Sequence, residues 1–164
     1  MSRATHADPA ALVAACVMAA CASWALEGAS SSMLLEAAVE EAREAAREVD
    51  TEARLAEMLT QVSVGTWEPP AGGVSLDPYE TVAAVLWCST RATSLRSGLV
   101  SAVQLGGDTD TVAALVGGLM GGKLTAEQVR AELPWHQLVV LPEPASAIAD
   151  TASALATIRT IQSV

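Results

Sequence analysis

The residues best suited to chemistry are the six of Gly106-Gly107-Asp108-Thr109-Asp110-Thr111. Asp108 and Asp110 stand two apart, so in an extended turn both carboxylates face one side, and Thr111 adds a hydroxyl beside them. Hard oxygen donors grouped in this way suit Mg2+ or Mn2+ rather than zinc. Gly106 and Gly107 let the backbone come close to a bound ligand, and the helix expected to follow offers its first N–H groups to an anion. A structural reading competes with this one, because acidic and threonine residues ahead of a helix usually cap it. The other reactive side chains are sparse. Cys16, Cys21 and Cys88 are odd in number, and two of them fall in an Ala-rich helical pattern, so they read as small buried hydrophobes of a reducing compartment. No Cys/His spacing suggests zinc. His136, Trp87 and Trp135 read as structural or packing residues, and Tyr79, the sole tyrosine, lies near a helix start where it can line a pocket.

The elements that must position these residues are helical. The chain has 164 residues, the length of one domain. It contains 33 Ala and no Phe, and aromatics make up 3%. Ala is the best helix former, and an Ala/Leu/Val core lets helices approach closely. The class is therefore all-α, a single domain over residues 1–164, and sandwiches, aromatic stacking platforms and disulfide scaffolds are excluded. Asp plus Glu number 19 against 9 Lys plus Arg, a formal charge of −10 that argues against nucleic acid and anionic membrane as partners.

Asp8-Pro9 and Asp77-Pro78 both read as helix starts, Asp as cap and Pro as first helical residue. The first helix should run to about Leu26 and stop near Gly28. Ser30-Ser31-Ser32 should cap a second from Met33, with Glu40/Arg43 and Glu44/Arg47 pairs on its solvated face. A third should turn Leu55, Met58, Leu59 and Val62 inward. Gly65 to Ser75 is the clearest loop. Helices are then expected from Asp77, over Ser94 to Leu105, and over Val112 to Met120, with Asp108 to Thr111 as a polar turn between the last two. Gly117, Gly118, Gly121 and Gly122 each cost roughly 1 kcal/mol against Ala inside a helix, so a close-packed neighbour is expected there. Thr125 to Gln128 reads as a capping box, Leu133 to Pro144 as a rigid connector, and Ala147 to Ile161 as a last amphipathic helix.

The uncharged run from Pro9 to Leu26 also invites a targeting reading, since Val17-Met18-Ala19-Ala20-Cys21 faintly matches a lipoprotein cleavage box. Arg3 followed by Asp8-Pro9 makes a poor basic leader, and the run is short and Ala-rich for a span. A secreted lipoprotein is thus the weakest of the readings, and a cytoplasmic location is expected.

Thr81 to Cys88, followed by Ala102-Val103-Gln104-Leu105 and the six-residue turn leading into Val112-Ala113-Ala114, strongly resembles the ADP-ribosylglycohydrolase family. Thr5-His6-Ala7-Asp8-Pro9 is similar to the family's Thr-His motif ahead of an Ala-rich helix, and Leu133-Pro134-Trp135 through Leu141-Pro142-Glu143 is similar to its tail. The resemblance implies a compact orthogonal helix bundle and hydrolysis of the glycosidic bond at the anomeric carbon of ADP-ribose. An ADP-ribosylated protein or an ADP-ribose-like small molecule would be the substrate. It further implies that Asp108, Asp110 and Thr111 are ligands of a two-metal Mg2+ or Mn2+ centre, with Asp110 between the ions. His6, with the Gly106-Gly107 backbone, would contact the substrate. No attacking residue is assigned.

The family also draws metal ligands from an earlier Gly-Asp helix motif and a Thr-Asp-Asp cluster, and neither occurs here. The chain starts near the beginning of the family's second half, so weak metal binding and little activity are expected without a complementary N-terminal half. The alternative is a non-catalytic structural or interaction member of the same family.

Overall fold

In the computed structural model, residues 7–140 and 145–162 are described. They form α1 (Pro9–Leu26), α2 (Ser31–Glu48), α3 (Arg54–Val64), α4 (Pro78–Arg91), α5 (Leu95–Gln104), α6 (Thr109–Gly121), α7 (Ala126–Glu132), a 3-10 turn (Pro134–Leu138) and α8 (Ala145–Gln162). Among the described residues there is no strand, only an isolated parallel bridge between Val74 and Gly107. The all-α expectation holds. The chain divides into two compact units, Met1–Leu133 and Pro134–Val164, with α1 to α7 in the first.

The starts of the helices follow the capping residues. Asp8 accepts from the N–H of Ala11 at 3.2 Å, Ser30 from that of Met33 at 3.3 Å and Asp77 from that of Tyr79 at 2.8 Å. Thr125 and Gln128 close the reciprocal box at 3.3 and 2.8 Å, and Ser94 and Ser97 form a second one. Two boundaries differ from the sequence expectation. α2 begins at Ser31, and α6 begins at Thr109, so Asp110 and Thr111 belong to its first turn and are not part of an extended turn.

α4 is the centre of the first unit. Its residues Tyr79 and Thr81 to Leu86 are buried, and it packs on α1, α2, α3, α5 and α6. α1 is apolar on all sides and long enough to cross a membrane by length and composition, yet one stripe, Val13, Val17, Cys21 and Ala25, is buried in this core. Its neighbours Trp24 and Leu26 are exposed. Leu55, Ala56, Leu59 and Val62 of α3 turn inward as the spacing predicts, with Met58 half-buried at the margin. Of the two expected pairs on α2, Glu44 and Arg47 meet at 2.8 Å, while Glu40 and Arg43 make no ion pair.

Two packing expectations are corrected. Cys16 is exposed, unlike the buried Cys21 and Cys88, because an all-apolar helix carries no pattern that marks its inward stripe. Of the four glycines expected to be crowded, Gly118 and Gly121 would put a methyl in open space, whereas Gly122 would meet the Gly118 carbonyl oxygen at 3.1 Å and Leu26 at 3.4 Å, and Gly117 would meet Leu99 at 3.4 Å. The tight glycine is Gly98 of α5, where a Cβ would lie 2.5 Å from Met120 Sδ and 3.2 Å from Val116 Cγ1, both on α6. In the second unit, α8 exposes Ile148, Leu155 and Ile158.

Candidate functional site

The Gly106–Thr111 turn lies where α5 hands over to α6, and a loop from elsewhere in the chain holds it. The Val74 N–H donates to the Gly106 carbonyl at 3.0 Å, and the Asp108 N–H donates to the Val74 carbonyl at 2.9 Å. Gly73, Gly106 and Gly107 have φ of 90°, 74° and 74°, a left-handed conformation that only glycine adopts cheaply. A Cβ on Gly107 would lie 2.0 Å from the Val74 carbonyl oxygen, and one on Gly73 would lie 2.5 Å from the Gly107 nitrogen. Bare Cα atoms at Gly73 and Gly107 thus let the turn close against the loop's backbone. The far side of the loop is pinned by Glu80, whose Oε2 accepts from the Ser75 N–H at 3.1 Å and the Ser75 hydroxyl at 2.7 Å.

Asp108 occupies the N-cap position of α6, yet its side chain accepts no hydrogen bond from the helix backbone. It accepts instead from the Thr111 hydroxyl, at 3.0 Å on Oδ1. The turn therefore brings Asp108 and Thr111 together. Asp110 stands at the second position of α6, in its first turn. Asp108 is half-buried, and Asp110 and Thr111 are exposed. Among the described residues no group of three or more His, Cys, Asp or Glu lies close enough to hold a metal ion. Two carboxylates and a hydroxyl at a helix N-terminus are hard donors of the kind Mg2+ or Mn2+ takes, and the carboxylate of Asp108 is not consumed by capping. Those residues fit one wall of such a site. His6 lies outside the described residues, as do Leu141-Pro142-Glu143.

Tyr79 is buried beneath Arg54, whose guanidinium sits 5.6 Å from the ring centroid and pairs with Asp77 at 2.9 Å. Burial first, then the charges of Asp8 and Asp77, push the Tyr79 phenol upward, and Arg54 partly opposes them. Trp87 packs edge-on against Trp67 with centroids 6.5 Å apart and carries the Arg91 guanidinium over its ring, 4.9 Å from the centroid. Neither aromatic belongs to the turn. His136 lies in the 3-10 turn of the second unit. A cavity of about 240 Å3 lies beside the other end of α6, lined by residues such as Ser31, Thr93, Met120, Lys123 and Glu132. Lys123, the only lysine, donates there to the Ala29 carbonyl at 3.0 Å. No sequence-predicted metal ligand lines that cavity.

Gly73 and Val74 are the residues that sequence reasoning missed. Gly72-Gly73 reads only as a loop signal, and nothing in the spacing links it to a turn on the far side of two helices. Neither a comparison with curated proteins nor one with solved structures finds a match. A family model described as ADP-ribosylglycohydrolase matches residues 1–161. That span takes in the turn, its supporting loop and every helix of the first unit, and it supports glycohydrolase-type, hydrolytic chemistry. The chain belongs to the ADP-ribosylglycohydrolase family.

Proposed function

We propose that this chain serves the metal-dependent hydrolysis of the glycosidic bond of ADP-ribose adducts, on modified protein side chains or small molecules. Asp108, Asp110 and Thr111 would hold Mg2+ or Mn2+. Bound there, the ions would supply Lewis-acid stabilisation of developing charge and an oriented water. The Gly106-Gly107 backbone and His6 would contact the substrate, His6 as a hydrogen-bond donor to ribose or phosphate. The single observation that carries this reading is the uncapped carboxylate of Asp108 facing the Thr111 hydroxyl. An aspartate that served only to cap would spend its carboxylate on the helix N–H groups, as Asp8 and Asp77 do.

The ligand set is partial, so a complementary segment bearing Gly-Asp and Thr-Asp-Asp motifs would complete it. A second reading, a non-catalytic member of the family, draws support from the lack of any three-membered acidic or histidine group among the described residues. Release of ADP-ribose from a modified protein separates the two. The expected outcome is little release by the chain alone with Mg2+ or Mn2+, and turnover once the complementary segment is supplied in trans. Asp110→Ala should abolish that turnover while shifting the melting temperature little, because the exposed side chain makes no packing contact to lose. No release under any of these conditions would favour the non-catalytic reading.

A further inference from the structure

Three aspartates stand at helix N-cap positions, and one of them behaves differently. At Asp8 and Asp77 ψ is 123° and 119°, and each carboxylate accepts from a first-turn N–H. Ser30, Ser94 and Thr125 cap with ψ of 164°, 160° and 158°. At Asp108 ψ is 53°, and no helix N–H reaches the side chain. The backbone explains the difference. The Val74 carbonyl takes the Asp108 N–H at 2.9 Å, while the Val74 N–H holds the Gly106 carbonyl at 3.0 Å. This two-bond clamp fixes the chain on entry to α6, where the carboxylate meets the Thr111 hydroxyl and not a first-turn N–H. Bare Cα atoms at Gly73 and Gly107 are required for the clamp to close.

We infer that Gly73 and Val74, with Glu80 as their anchor, form a positioning segment that withdraws the Asp108 carboxylate from capping and presents it to the Thr111 hydroxyl. Only the further step, from a presented carboxylate to a bound cation, rests on the metal reading above. Neither Gly73 nor Val74 touches substrate or metal in this scheme; they act through Asp108.

The test compares the full chain with Gly73→Ala, Glu80→Ala and a distant core variant, Leu59→Ala. Amide hydrogen exchange is read by NMR, and Mn2+ affinity by the electron paramagnetic resonance of the free ion. In Gly73→Ala the Asp108 amide should lose about tenfold in protection relative to the amides of α4, as expected for local opening. Protection at Asp110 and Thr111 should rise as the carboxylate swings back to cap, and Mn2+ affinity should fall. Glu80→Ala releases the anchor without inserting a methyl into the clamp and should act in the same directions more weakly. It carries the test if Gly73→Ala does not fold. Leu59→Ala should lower the melting temperature yet leave the relative exchange of Asp108, Asp110 and Thr111 unchanged. Unaltered exchange at Asp108, Asp110 and Thr111 in the folded clamp variants overturns the inference. If those amides respond as expected but the unmodified chain binds no Mn2+, the metal reading fails and the positioning role stands.

Discussion

At the scale of single residues, the turn was readable because its chemistry depends on residue types in immediate succession. Asp108, Thr109, Asp110 and Thr111 need no tertiary knowledge to be noticed. What could not be read was the use of Asp108: its cap position is local information, whereas the carbonyl that holds its N–H comes from Val74. The cysteines show the same division. Cys16 and Cys21 share one Ala-rich run in the sequence, but burial separates them. Burial, with a smaller push from Glu41, raises the Cys21 thiol to about 12, and burial raises Cys88 to about 11 against the opposing charge of Arg91. Both thiols hold their protons more tightly folded than unfolded. Their contribution to stability is therefore complete below the unfolded value near 9 and is lost as pH climbs toward 11 and 12. Denaturant midpoints measured from pH 8 to 11 should fall progressively, and Cys21→Ala with Cys88→Ala should flatten that slope. An aromatic disulfide reagent at pH 8 should titrate Cys16 at once and the other two only on unfolding.

At the scale of elements, helix starts were legible because capping is decided within four residues. Asp8-Pro9, Ser30, Asp77-Pro78 and Thr125 all do what their types dictate. Crowding between helices was not legible, since it depends on which faces meet. α6 carries three glycines, yet the tightest contact between it and α5 is made at Gly98 of α5 against Val116 and Met120. A direct consequence is that Gly118→Ala should stabilise the chain. The position is within α6, exposed, and open for 4 Å around the added methyl. The substitution removes only unfolded-state freedom, worth about 0.5–1 kcal/mol. Urea unfolding should show a higher midpoint at unchanged m-value. The loop after α3 was plain as a loop, but its packing was not. Proline and glycine marked it as irregular, but its buried Trp67 and Val74 and its grip on the α5–α6 turn follow from topology alone.

At the scale of the whole molecule, composition was enough for the fold class, because a chain rich in Ala and without Phe has little to build a sheet core from. The division into Met1–Leu133 and Pro134–Val164 was not readable, since the proline-rich connector looks the same within one body or between two. The Val74–Gly107 bridge has a consequence for what the protein gives up first on the way to unfolding. It joins segments separated by all of α4 and α5, so it exists only while those helices are docked. A molten state keeps its helices and gives up fixed tertiary contacts. Under mild acid or low denaturant, the far-UV helical signal should therefore outlast protection of the Asp108 amide. The carboxylate would then be free to return to its helix. Helical content would report a folded protein at a stage when the turn had already reverted to an ordinary cap.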